Sequence, residues 1–389
     1  MRKKAAACLL LAVMFAACTL LASCSVRLTG ISMGYYEIQL NGEGASALRD
    51  ELSELMGTMN FYWNLNSPQG DIARLNAKGE TEVKYPETIT LLRQALELQE
   101  QTAGAYNPCM LPLTACWNIK GNTENWTLPD SAAIQAAQEV VEATSLHMDG
   151  NTVTLVVDIP GEILNQNGNL TTPDGSETGT QKNTSNPGGN TTASPAATPD
   201  PNSITPGIDL GALAKGAAAD RCLAHIKAAG VDSAFIDIGG STVAALGEKK
   251  PGTPWMVGIP DPLSGGGFAL QVKLTDACLV TAGQYQCYET FDDLRYGHII
   301  EAYDGKPTPY MHLTTSATVV GPSAAVCGVL SSILSVRLPL VGQLLLEEHF
   351  PDYTAIWMQQ DGYVYCSPAL LSHVSVYGNA DYTLMELPA

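Results

Sequence analysis

Three residues in the second half of the chain, Asp209, Lys215 and His298, are of types that can do chemistry. The stretch Gly207-Ile-Asp-Leu-Gly-Ala-Leu-Ala-Lys-Gly-Ala-Ala-Ala-Asp220 joins an acidic, glycine-marked turn to a helix start, with Asp209 before Gly211 and Lys215-Gly216 in the helix's first turn. From Ala214 onward, small and apolar residues, with Cys222, Leu223 and Ile226, recur at helical spacing, which predicts an amphipathic helix ending near Gly230. Free backbone N–H groups and the helix dipole favour an anion at such an N-terminus, and Lys215 adds a full positive charge. A strand-to-helix connection with no ligand has the same signature. The third residue, His298, comes after a loop and precedes a strand, a place that suits either an acid–base group or a structural histidine.

The elements that must position these residues are legible in the apolar periodicity. Tyr36-Glu-Ile-Gln-Leu40 alternates like a strand, and Leu48, Leu52, Leu55, Met56 and Met59 mark a helix. A second helix runs from Pro86 to about Gln101, with Ile89, Leu91, Leu92, Ala95, Leu96 and Leu98 on its core side, and a third from Asp130 to about Thr144. Thr152–Val157 reads as a strand after the Asp149-Gly-Asn151 turn. Ala234–Ile238 reads as a buried strand ending in Gly239-Gly240, a pair that lets backbone approach a ligand closely.

Composition sets the outer limits. With 389 residues, 45% hydrophobic and 15% charged, the chain can bury one large core or two lobes. A formal charge of −19 argues against nucleic acid as a partner. Residues 1–24 read as a targeting segment: basic Arg2-Lys3-Lys4, an apolar run from Ala5 to Leu21, then Leu21-Ala22-Ser23-Cys24. Those last four residues resemble a bacterial lipobox, which predicts diacylation of Cys24 and a lipid anchor on the extracytoplasmic face of the bacterial cell membrane. The run is short for a membrane-spanning anchor. From 160 to 206 the composition turns to Asn, Thr, Gly, Pro and Ser, a stretch expected to be a disordered insertion between a first part, 25–159, and a second, 207–389. Seven cysteines remain after Cys24, with no zinc spacing among them; most are expected to be buried small hydrophobes.

The Gly207–Asp220 stretch resembles, nearly letter for letter, the D-L-G-G-I-A-K-G-Y-A-x-D signature of the ApbE family, the FAD:protein FMN transferases. Further motifs appear in the family order. Met33-Gly34-Tyr35 resembles the family's M-G-T, which lies against the flavin, whereas the literal Met56-Gly57-Thr58 falls inside a helical pattern and is set aside. Ser67–Asn76 resembles the S-E-I-S-R-L-N turn, and Gly104–Trp117 resembles G-x-F-D-P-T-x-x-P-L-x-x-L-W. Ile236–Gly240, Trp255–Pro262, Thr281–Tyr285 and His298–Pro307 resemble the later signatures. The last motif departs from the family: Cys327-Gly328-Val-Leu-Ser331-Ser332 stands where relatives carry A-D-A-L-A-T, so Gly328 replaces a metal-binding carboxylate.

The resemblance implies an α+β, T-fold-like domain of two intertwined lobes with the flavin between them. It implies an Mg²⁺-dependent transfer of FMN from FAD to a Thr or Ser hydroxyl of an exported acceptor flavoprotein, with release of AMP. His298, Asp209 and Lys215 would serve catalysis. Met33, Trp117, Asn118, Ile119, Asp209, Lys215, Gly239, Gly240 and Ile300 would contact FAD. Ala212, through its carbonyl, with Ser331 and Ser332 would be left to hold Mg²⁺. A flavin-binding lipoprotein that only binds or hydrolyses FAD keeps the same flavin motifs and tolerates the lost carboxylate. An unrelated solute-binding lipoprotein accounts for the leader but not for the ordered motifs.

Overall fold

Nine strands hydrogen-bond into one sheet, in the order Ser25–Ile31, Tyr35–Asn41, Ser233–Ile238, Thr242–Leu246, Cys278–Gly283, Thr314–Gly321, Thr354–Gln359, Tyr363–Cys366 and Thr383–Glu386. Every neighbouring pair is antiparallel except the last, which is parallel. The computed structural model describes residues 25–388 apart from 32, 43, 122–125, 159–162, 165–169, 172–203, 265 and 310–313. The predicted leader with Cys24 and most of the predicted insertion therefore lie outside the described residues. Within 160–206, Ile163–Leu164 and Leu170–Thr171 pair as a short antiparallel ribbon.

Burial along the strands shows how the sheet is covered. Tyr35–Asn41 alternates between buried and half-exposed positions, while Thr242–Leu246 is buried throughout, as a strand with layers on both faces must be. One face packs against the helices Leu48–Trp63, Ala214–Ala228 and Ala324–Leu334, with Ile38, Leu52, Met56, Ile226 and Leu330 among its buried residues. On the other face lies a second, three-stranded sheet of Trp255–Pro260, Phe268–Leu274 and Val374–Val376, whose Val257, Ile259 and Val272 meet Val243, Ile356 and Met358. Met56 is fully buried in its helix, so the literal Met56-Gly57-Thr58 is a core-facing coincidence. All seven cysteines among the described residues are free thiols, five of them buried.

Two close helices form the floor of the site. The helix Ala214–Ala228 touches Ala324–Leu334 at Gly216, where a β-carbon would lie 2.2 Å from the Ala324 carbonyl oxygen, so only glycine fits. One turn on, the Asp220 carboxylate accepts from the Ala324 N–H at 2.7 Å, the Ala325 N–H at 3.0 Å and the Ser323 hydroxyl at 2.7 Å. These backbone groups are the free donors of the neighbouring helix's N-terminus, so the last residue of the Gly207–Asp220 signature caps a different helix.

The entry to that signature is tied just as firmly. The Asn76 side chain donates to the Ile208 carbonyl at 2.9 Å and accepts the Ile208 N–H at 2.8 Å, and the Asp209 N–H donates to the Pro108 carbonyl at 2.8 Å. Asn76 is held in turn by its own helix, Asp71–Lys78. There Asp71, 1% exposed, accepts from Arg74, the Lys84 and Tyr85 N–H groups and the Thr88 hydroxyl. The Ser67–Asn76 motif is thus a brace for the Asp209 turn.

Candidate functional site

Three cavities of about 170, 240 and 490 Å³ adjoin one another, and Gly211 lines all three. The first is walled largely by apolar residues, including Met110, Ile300, Val329 and Ile333, together with Tyr106 and His298. The middle one is polar: Lys120, Lys215, Ser241, Thr281, His298 and Ser332 line it with the backbone of Gly239 and Gly240. The third lies between Met33, Trp63, Leu65, Leu210 and Ala214, with Asn60, Asn64 and Asn66 at its rim. The first two are small for an organic ligand, but the three meet at Gly211 and so open one compound cleft, with the first and third cavities lined largely by apolar surface and the second carrying two lysines.

Most residues expected from sequence meet here. Asp209 lines the first and third cavities, Lys215 the second and third, and His298 the first and second. Met33, at φ 55°, donates its N–H to Asn60 Oδ1 at 3.0 Å and borders the third cavity. Gly239 and Gly240, at φ 68° and 65°, turn the chain in a region that side chains other than glycine's rarely allow. Ile300 borders the first cavity.

The segment Trp117–Lys120 divides between buried packing and the cleft. Trp117 is 3% exposed, donates its ring N–H to the Gly305 carbonyl at 2.7 Å and stacks on Tyr296, with Ile119 buried in the same cluster. Asn118 is the left-handed residue that ends the helix Leu111–Trp117. None of the three lines these three cavities; Trp117 and Ile119 pack in the buried cluster beside them. Lys120 is the residue of this segment that reaches the cleft, where it lines the first two cavities. The available signal was one of few basic residues in an acidic chain, directly after a recognised motif.

The cleft carries its charges at close quarters. A β-carbon on Gly211 would lie 3.0 Å from Asp209 Oδ1 and 3.9 Å from Lys120 Nζ, so opposite charges flank that backbone. Lys215 Nζ donates to Ser241 Oγ at 2.9 Å. Burial lowers the Lys215 pKa, Lys120 adds to the effect and Asp237 opposes it. His298 Nδ1 lies 3.2 Å from the Cys287 carbonyl, which can only accept, so Nδ1 carries the proton and Nε2 keeps a lone pair. Burial first, then the positive charge of Lys120, lowers the His298 pKa to about 4, which leaves it neutral at physiological pH. Tyr106 lines the first cavity with its hydroxyl buried and, among the described residues, without a hydrogen-bond partner.

The residues expected to hold Mg²⁺ do come together, but their chemistry does not suit it. Gly328 packs on Ala212 so tightly that a β-carbon would lie 2.4 Å from the Ala212 carbonyl oxygen. The Ser331 and Ser332 hydroxyls both donate to the Gly328 carbonyl at 3.0 Å. One carbonyl and two hydroxyls supply no negative charge, whereas a protein usually holds Mg²⁺ through one or two carboxylates, with substrate phosphates and waters completing the shell. Among the described residues no group of three or more His, Cys, Asp or Glu side chains is arranged for a metal ion.

A mostly antiparallel sheet with helices on one face carries these adjoining cavities, one of them lined by two lysines. The chain belongs to the ApbE family: the model of that family matches residues 29–172 and 178–357. An FAD:protein FMN transferase of Treponema pallidum is 26% identical over 342 residues, covering 85% of this chain and 82% of that protein. One of Vibrio cholerae is 22% identical over 364 residues, covering 90% and 94%. Among solved structures, the ApbE protein of Thermotoga maritima superposes with a TM-score of 0.68 at 21% identity, covering 90% of this chain and 99% of that one. The apo flavinyl transferase ApbE of Pseudomonas stutzeri gives 0.67 at 20%, covering 90% and 97%. The fold is therefore the α+β ApbE architecture.

Proposed function

We propose that this protein is an FAD:protein FMN transferase that moves FMN from FAD to a Ser or Thr hydroxyl of an exported acceptor protein. The observation that carries the reading is the cleft itself: two largely apolar compartments suit the two ring systems of FAD, and the adjoining lysine-lined one suits its pyrophosphate. In the reaction, the acceptor oxygen bonds to the phosphorus on the FMN side. The bond from that phosphorus to the bridging oxygen breaks, and AMP leaves with that oxygen and its electron pair. His298 Nε2, neutral and within the cleft, is suited to take the hydroxyl proton, and Lys215 to hold the phosphate. Asp209 accepts the Gly211 N–H at 2.8 Å and so shapes the turn on which all three compartments meet. The leader and Cys24 support a lipid anchor that holds the enzyme on the outer face of the cell membrane, where exported acceptors are found.

A second reading, binding or hydrolysis of FAD without transfer, is favoured by one observation, the uncharged donor set around Gly328. Incubation with FAD and a Ser/Thr acceptor peptide, read by mass spectrometry, separates the two. Transfer adds FMN to the peptide and releases equimolar AMP; AMP with free FMN means hydrolysis, and neither means binding alone.

A further inference from the structure

Resting on the FAD reading, we propose that Lys120 and Lys215 together neutralise the ligand's pyrophosphate in place of a divalent cation, so that FAD binding by this chain needs no metal.

The case begins with what the middle cavity lacks. At Gly328 the missing carboxylate is more than a change of letter, because the helix has settled against the Ala212 carbonyl and leaves no room for a β-carbon. The hydroxyls of Ser331 and Ser332 donate to the helix's own carbonyl, and their oxygens, though they keep lone pairs, bring no negative charge. A pyrophosphate in the same cavity still needs its charge met.

Two ammonium groups are available. Lys120 and Lys215 line the same middle cavity, Lys120 beside Gly211 and Lys215 beside Gly239. Among the described residues neither forms an ion pair, although the chain has 39 acidic residues to its 20 lysines and arginines. Lys215 is pre-positioned by its bond to Ser241, so its ordering does not wait for the ligand. The two lysines also sense each other, since Lys120 helps lower the Lys215 pKa and both charges bear on His298. Asp237 offsets part of this at Lys215 and Asp209 lies near Lys120, but neither closes an ion pair, so the mutual repulsion of the two lysines is relieved further when an anion binds. Lys120 is exposed, which suits it to capture the phosphates, while the more buried Lys215 holds them.

The test measures equilibrium binding of FAD and of riboflavin to the full chain, by quenching of flavin fluorescence, in EDTA and in millimolar Mg²⁺. The expected result is FAD affinity within about twofold under both conditions. For Lys120→Met we expect FAD affinity at least about tenfold weaker with a shallower salt dependence, riboflavin affinity unchanged, and recovery of most of the loss in Lys120→Arg. FAD binding that tightens about tenfold or more with Mg²⁺ overturns the inference while leaving the FAD reading intact, as does a Lys120→Met variant that binds FAD like the parent. Failure of the parent chain to bind FAD in either condition overturns both. The metal comparison needs no variant, so a folding defect in Lys120→Met does not blunt it.

Discussion

At the scale of single residues, His298 is the group whose state the site controls most strongly. Burial and two nearby ammonium groups all disfavour the imidazolium, and the Cys287 carbonyl selects the tautomer with Nε2 unprotonated. A base of this kind is competent above its own pKa. The acid limb of the pH–rate profile is therefore expected near pH 4, below the ordinary histidine value of 6.5, and Lys120→Gln should move it upward by removing a positive neighbour. The same shift has a sign for stability: the folded chain resists protonation that the unfolded chain accepts, so this contribution is complete above pH 6.5 and is lost as pH falls to about 4. Thermal melts of the parent and of His298→Asn across that range check it; equal pH slopes would show that the histidine is not buried as described. Tyr106 offers a complementary test, because its hydroxyl is buried without a hydrogen-bond partner among the described residues. Removing an unsatisfied hydroxyl costs a fold little, so Tyr106→Phe should leave the melting temperature unchanged or raised. If FAD supplies the missing partner, the same variant should bind FAD several-fold more weakly.

At the scale of elements, the site depends on two helices held at glycine contact. Asp220 satisfies the N-terminal donors of the helix that carries Ser331 and Ser332. Asp220→Ala leaves those donors unmet in a largely buried setting, and we expect a loss of about 2 kcal/mol, read as a lower urea midpoint at unchanged slope. Gly328 makes the opposite kind of prediction. Restoring the family's carboxylate with Gly328→Asp places a β-carbon 2.4 Å from the Ala212 carbonyl oxygen, so the helix must shift before any ion can be held. The expected outcome is about 1–3 kcal/mol of destabilisation from overpacking, with no gain in the melting temperature when Mg²⁺ is added. A rise of several degrees with millimolar Mg²⁺ would show that the helix yields and a site forms.

At the scale of the whole molecule, residues 172–203 interrupt a chain whose two flanks build one sheet and one cleft. Tyr35–Asn41 from before the interruption pairs with Ser233–Ile238 from after it, and Asn76 grips Ile208 across it. Composition gives residues 172–203 almost nothing to bury. Replacing them with a short Gly-Ser linker should leave both the melting temperature and FAD affinity within error of the parent, and a drop of several degrees would show that they pack. The sequence alone determined much of this molecule. Periodicity marked the helices Pro86–Gln101 and Ser131–Ala143 and the strand Thr152–Val157, because the side chains along one face share one environment. The Gly207–Asp220 stretch carried the hub of the cleft, because turn glycines, a helix start and their charged neighbours are encoded within a few residues. What only the tertiary structure decided were matters of contact between distant segments. Trp117 and Lys120 are three positions apart, yet one is a strut against Gly305 and the other a charge in the cleft, a division set by segments nearly two hundred residues away. Asp220 and Asn76 read as motif letters until the fold showed one capping a helix about a hundred residues on and the other clamping Ile208. The loss of the Gly328 carboxylate was visible as a letter, but that the helix had closed over its place is a fact of packing, which no local pattern records.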